Sequence, residues 1–173
     1  LKLYIKLSRL SFSVDLSLFN DMKNILASKF DKLYINPKYQ DLFAVGYGSY
    51  DFMRQGSGMI CCFSLKNTSH PEYTFSTESG VMCLDFHPQH PALLAVGCYD
   101  GTVMVFDVRN KVNKPIYISS IKTGKHTDPV WQVMWQEEDI AKELNFFSIS
   151  SDGRVANWIM SKNTEFIDIT KFL

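Results

Sequence analysis

The chain has 173 residues, 46% of them hydrophobic and 21% charged, which suits a globular core and excludes a disordered or low-complexity segment. Lysine plus arginine equals aspartate plus glutamate at 18 each, so no net positive field exists to hold a nucleic-acid backbone or an anionic membrane surface. No apolar run approaches the roughly 18 residues of a membrane span, and a soluble intracellular protein is expected.

The sequence opens on Leu1 rather than methionine, as a fragment would. Leu1, Leu3, Ile5 and Leu7 alternate like a strand, while Leu18, Met22, Ile25, Leu26 and Phe30 recur at helical spacing. Residues 1–31 therefore read as an irregular leader of strand plus short helix, whose origin the sequence leaves open.

A repeat organises everything after it. Ile35-Asn36-Pro37 followed by Leu42-Phe43-Ala44-Val45-Gly46 matches Phe86-His87-Pro88 followed by Leu93-Leu94-Ala95-Val96-Gly97, and Trp135 starts a weaker third copy. The equivalent positions Ile35, Phe86 and Trp135 are 51 and 49 residues apart, near the period of propeller repeats with four short strands per blade. Three repeats result, at about 32–67, 80–110 and 124–161 of the segment 32–173.

In the second copy, Val81 to Phe86, Leu93 to Gly97 and Thr102 to Val108 are short apolar runs bounded by proline, glycine or aspartate, and each is expected to be a strand. Tyr99-Asp100-Gly101 is a tight-turn signature that Ser151-Asp152-Gly153 repeats, since aspartate and glycine accept the positive φ of hairpin turns. A fourth, outer strand is expected within Ile116 to Ile121, and a helical or loop excursion over Glu138 to Leu144. Cys61, Cys62, Cys83 and Cys98 form no C-x-x-C pair and fall in these runs, as reduced core thiols would. Trp131, Val133 and Trp135 alternate along one strand face and read as packing. Three copies are fewer than the four to eight blades that typically close a ring, so open edges and exposed apolar surface are expected.

Gly46 to Gly58 spans 12 positions where Gly97 to Gly101 spans 4. The longer loop holds Tyr47, Tyr50, Phe52, Met53 and Arg54, residue types that concentrate binding energy, and is the candidate partner contact. The alternative is that these aromatics fold back onto their own blade. No metal site is expected from His87 and His90, which lack a third ligand, and no G-x-x-x-x-G-K-[ST] phosphate loop is present, so no cofactor is expected. His126, Ser148 and Asp152 have the residue types of a hydrolase triad, but Ser148 lies in the apolar run Phe146-Phe147-Ser148-Ile149 rather than on an exposed G-x-S-x-G turn.

Gly124-Lys125-His126, Ser148, Asp152 and Trp158 instead resemble the structural tetrad of WD-repeat proteins, with the turn aspartate four residues after the serine and six before the tryptophan. The resemblance implies that His126, Ser148, Asp152 and Trp158 share one buried hydrogen-bond network. The second copy departs from the pattern, with Asp100 but Phe106 for tryptophan and Val96 for serine, and the first has Phe63 at the tryptophan position. Longer stretches, Asp41 to Phe52, Ser64-Leu65-Lys66-Asn67, Ser79-Gly80-Val81 and Gly124 to Val133, are similar to dynein intermediate chains. Gly46 to Phe52 and Asn145 to Arg154 resemble the axonemal outer-arm type. The resemblance covers about Leu33 to Leu173.

It implies an all-β fold, a partial WD-repeat β-propeller of about three blades, with no enzymatic activity. It further implies a scaffold in which the propeller grips a dynein heavy chain, alongside other dynein intermediate and light chains of the arm. Microtubules would be engaged indirectly, in the cytoplasm and the axoneme of cilia and flagella. A generic WD-repeat adaptor outside dynein is the alternative.

Overall fold

The computed structural model describes residues 2–6, 11–15, 30–39, 41–48, 56–67, 70–110, 112–137, 144–160 and 166–168, with side chains from residue 35 to residue 160 of these. Strands β1 (Lys2–Lys6) and β2 (Ser11–Asp15) form an antiparallel pair. The other strands among the described residues form three four-stranded antiparallel meanders. The first is β3 (Phe30–Ile35), β4 (Leu42–Tyr47), β5 (Gly58–Ser64) and β6 (Tyr73–Thr77). The second is β7 (Val81–Phe86), β8 (Leu93–Cys98), β9 (Val103–Asp107) and the two-residue β10 (Tyr117–Ile118). The third is β11 (Val130–Trp135), β12 (Asn145–Ser150), β13 (Val155–Met160) and β14 (Phe166–Asp168). Three open sheets of this kind make a partial β-propeller, and no helix among the described residues is long and apolar enough to cross a membrane.

The repeat positions fall at identical places. Ile35, Phe86 and Trp135 each end the first strand of a sheet and face Phe43, Leu94 and Phe146 on the second. Each first strand also carries a bulge at one level, between Phe30 and Lys32, Val81 and Cys83, and Val130 and Gln132. A bulge adds one unpaired residue and turns the residue before it onto the opposite face. Val81 therefore packs toward the first sheet with Leu84 and Phe86, although Cys83, two positions on, packs toward the third.

The same device corrects two expectations. Trp131 does not share a face with Val133 and Trp135; it sits at the bulge and is 45% exposed, while those two are 3% and 6% exposed. Phe30 does not continue a helical leader, because its backbone opens β3 opposite Tyr47, so the first sheet begins before residue 32. Leu18, Met22, Ile25 and Leu26 lie outside the described residues, as does most of Glu138 to Leu144.

Two buried clusters fill the seams between sheets. Ala44, Ile60, Cys62 and Phe75 of the first sheet meet Val81, Leu84, Val96 and Phe106 of the second. Ala95, Val103 and Val105 of the second meet Val133, Phe146, Ala156 and Trp158 of the third. All four cysteines are buried and free, and burial pushes the thiols of Cys61 and Cys62 up to about 11 and about 12.

The second seam also buries polar groups. Asp85 of β7 accepts the Trp135 backbone N–H at 2.9 Å, and the Trp135 indole N–H donates to the Asp85 carbonyl at 3.0 Å. Burial pushes the Asp85 carboxyl up to about 6 against the opposing pull of the Trp135 and Phe86 backbone N–H groups. A raised carboxyl pKa means that the native state keeps a proton which the unfolded chain releases near pH 4. Stability is expected to decline between about pH 4 and 6 and then level off. Melting temperatures over that range should show the decline in the native sequence and lose it in Asp85→Asn.

Candidate functional site

The most concentrated polar chemistry lies in the third sheet. Ser148 on β12 pairs with Ala156 on β13, and its neighbour Phe146 pairs with Trp158, which places serine and tryptophan on one face. The Trp158 indole N–H, which can only donate, reaches Ser148 Oγ at 2.7 Å. The hydroxyl proton is then free to point at His126 Nε2, 2.7 Å away, leaving the Nδ1 hydrogen for Asp152 Oδ2 at 2.9 Å. The four groups make one directional chain from indole to carboxylate, with His126, Ser148 and Trp158 at 1%, 0% and 0% exposure.

Asp152 anchors the chain's end. It also accepts the Arg154 N–H at 2.9 Å, the Thr127 N–H at 3.2 Å and the Arg154 Nε–H at 3.3 Å. Burial works against its ionised form, but the Arg154 and Thr127 backbone N–H groups and the His126 ring outweigh it and hold the carboxyl at about 2. Arg154 Nη2 donates in turn to the carbonyls of Gly124 and Lys125 at 2.9 and 3.1 Å, closing the loop before β11 over the turn after β12. A serine whose oxygen is wholly buried and already engaged with an indole and an imidazole has no path to a substrate carbonyl. The arrangement therefore does not serve as a nucleophilic triad.

The second sheet builds a different network from its departures. Asp100 bonds Thr102 Oγ1 at 2.6 Å and the Thr102 N–H at 3.1 Å, and Lys125 from the loop leading to the third sheet reaches it at 2.7 Å. Burial raises its pKa and these partners lower it, with a net downward shift. Ser79, in the turn before β7, accepts the Asp100 N–H at 3.1 Å. Sequence spacing did not reveal Lys125, which is 25 positions from its partner.

At the opposite end of the sheets, Asn36 and His87 occupy equivalent positions, both wholly buried. Asn36 Oδ1 accepts the N–H groups of Lys38 and Tyr39, and His87 Nδ1 those of Gln89 and His90, at 3.0–3.1 Å. The His87 Nδ1 lone pair is thereby committed to the loop. A groove of about 770 Å³ opens nearby between the first and second sheets, lined by Lys38, Tyr39, Glu72, Tyr73, His90 and Arg109 among others. Nothing in the residue pattern pointed to it, because its walls come from loops and strand ends of different repeats, Leu144 before β12 included.

Of the candidate contact loop, Tyr50, Phe52, Met53 and Arg54 lie outside the described residues. Tyr47 does not belong to the loop surface. It is the last residue of β4, paired with Met59, and only 7% exposed among Phe43, Val45, Cys61 and Phe63. Strand alternation carries it inward, which the loop-length comparison could not register.

Residues 69–107 match the WD domain, G-beta repeat family, a span ending with β9. Over 128 residues the chain is 62% identical to the 78 kDa intermediate chain of flagellar outer arm dynein from Chlamydomonas reinhardtii and 58% identical to dynein axonemal intermediate chain 1 from Bos taurus. These matches cover 74% of this chain and 19% and 18% of the respective relatives. The chain belongs to the axonemal dynein intermediate chains, a WD-repeat family. Its likeness to the flagellar outer arm chain is greater than that to dynein axonemal intermediate chain 4 from Mus musculus, at 40% identity over 166 residues, 93% of this chain and 20% of that protein. The wider match leaves fewer than 31 residues outside it, so axonemal intermediate-chain similarity extends into residues 1–31, beyond the Leu33 limit expected from motifs. The chain spans about a fifth of the length of these curated relatives.

Proposed function

We propose that this chain is part of a non-catalytic scaffold subunit of an axonemal dynein, its propeller binding a dynein heavy chain and supporting microtubule-based movement of cilia or flagella. The observation that carries the reading is the 62% identity over 128 residues to an outer-arm intermediate chain. The buried His126–Ser148–Trp158 chain adds to it, since this polar cluster is sealed by its own partners. Neighbouring intermediate and light chains of the same arm are the further expected partners, and the axoneme is the expected location.

Capture of the full-length subunit from ciliary extract, with cross-linking and mass spectrometry, tests this. Cross-links to an axonemal dynein heavy chain support the reading; a reproducible set of partners without dynein overturns it in favour of a general adaptor. The loop between Gly46 and Gly58 is proposed as one contact. Replacing Tyr50, Phe52 and Arg54 together with alanine is expected to weaken heavy-chain recovery at least about tenfold without altering the melting profile. Unchanged recovery by the folded triple variant would remove the loop from the interface.

A further inference from the structure

The two seams already formed share a size pattern. On the face that the first sheet turns to the second, β4 presents Leu42, Ala44 and Gly46; on the face that the second turns to the third, β8 presents Leu93, Ala95 and Gly97. The glycines let the next strand come close. A Cβ built on Gly46 would stand 2.5 Å from Val81 Cγ1, and one on Gly97 would stand 2.6 Å from Val130 Cγ1. Each seam is thus a valine at the start of one sheet seated over a glycine of the sheet before it.

The third sheet breaks the pattern. Its corresponding face presents Asn145, Phe147 and Ile149 on β12, with Val155 and Asn157 beside them on β13. Ile149, at the glycine position, is 46% exposed, and Met134 and Trp131 on the adjoining strand are 54% and 45% exposed. Asn157 Oδ1 is buried beneath this face with no hydrogen-bond partner among the described residues.

A propeller covers each such face with the sheet that follows it, and we propose that on this face the seam is built with its sizes inverted. The small residue lies on the incoming strand opposite Ile149, and a donor on the incoming sheet satisfies Asn157. Continuity argues for a sheet as occupant, because both equivalent faces are covered by the sheet that follows. The flagellar outer arm relative is about four times as long as this chain and holds ample sequence for one. Ile149 argues for the inversion, because a valine in the place of Val81 or Val130 would collide with its side chain.

The test uses the full-length polypeptide with a photoreactive benzoylphenylalanine at Met134. The expected result is an intramolecular cross-link to a strand that carries glycine, alanine or serine at the position equivalent to Val81 and Val130. Valine or a larger residue there, a cross-link to a second copy or to another protein, or no cross-link overturns the proposal. In the same polypeptide Ile149→Ala is expected to lower the melting temperature by about 5 °C through the cavity it opens. An unchanged melting temperature would mean that Ile149 stays in water and would also overturn it.

Discussion

Ser148→Ala is expected to lower the unfolding free energy by about 3 kcal/mol, because the lost hydroxyl was serving two buried groups at once. The Trp158 indole N–H and His126 Nε2 both reach Ser148 Oγ at 2.7 Å, and neither has water to turn to. Removing one small atom leaves a donor and a ring nitrogen unsatisfied in a low-dielectric interior. Urea denaturation of the full-length polypeptide measures the loss. The double variant Ser148→Ala, Trp158→Phe separates this cause from simple packing. Once the indole N–H is gone, the hydroxyl has less to satisfy, and the combined cost should fall short of the sum of the two single costs. Strictly additive costs would show that the chain from indole to carboxylate is not a coupled unit.

Gly101→Ala should be comparably severe, at about 3 kcal/mol, for two reasons that a second glycine separates. Gly101 and Gly153 occupy equivalent turns with φ of +83° and +79°, a left-handed conformation that costs a side chain roughly 1–2 kcal/mol. Around Gly153 a new Cβ would meet nothing within 4 Å, whereas at Gly101 it would run into the carbonyl of His126. Gly153→Ala therefore reports the backbone term alone, and the excess at Gly101 reports the seam. Equal losses of stability in the two variants would show that the loop carrying His126 gives way freely, despite its bonds through Arg154 to Gly124 and Lys125.

What the sequence disclosed was what recurs within one repeat. The 51- and 49-residue spacing of Ile35, Phe86 and Trp135 located the ends of three first strands, and the aspartate-glycine turns located the hairpins. The spacing of Ser148, Asp152 and Trp158 anticipated side chains that meet, because strand pairing converts fixed offsets into fixed positions. What it hid was contact between repeats. Asp85 with Trp135, Asn36 with Pro91 and Lys125 with Asp100 are separated by 50, 55 and 25 positions and leave no local pattern. Alternation also misled where the backbone departs from it. Trp131 looked equivalent to Val133 and Trp135 until the bulge before Gln132 turned it outward, and Tyr47 looked like loop until pairing with Met59 made it strand.

The three aligned bulges bear on which changes of length the gene can tolerate. Between the paired residues Gly46 and Ile60 the chain runs eight residues longer than between the equivalent pair Gly97 and Val103, and the register on both sides is kept. Insertions there are absorbed by a loop. The first strands have no such slack, because Val81 and Val130 reach their seams only through the extra residue at Met82 and Trp131. Deleting a single codon at either place would turn the valine to the wrong side and leave a glycine with nothing to hold. In-frame indels should therefore accumulate between Gly46 and Gly58 and be purged from these six-residue strands, although all are short segments of the same small repeat unit.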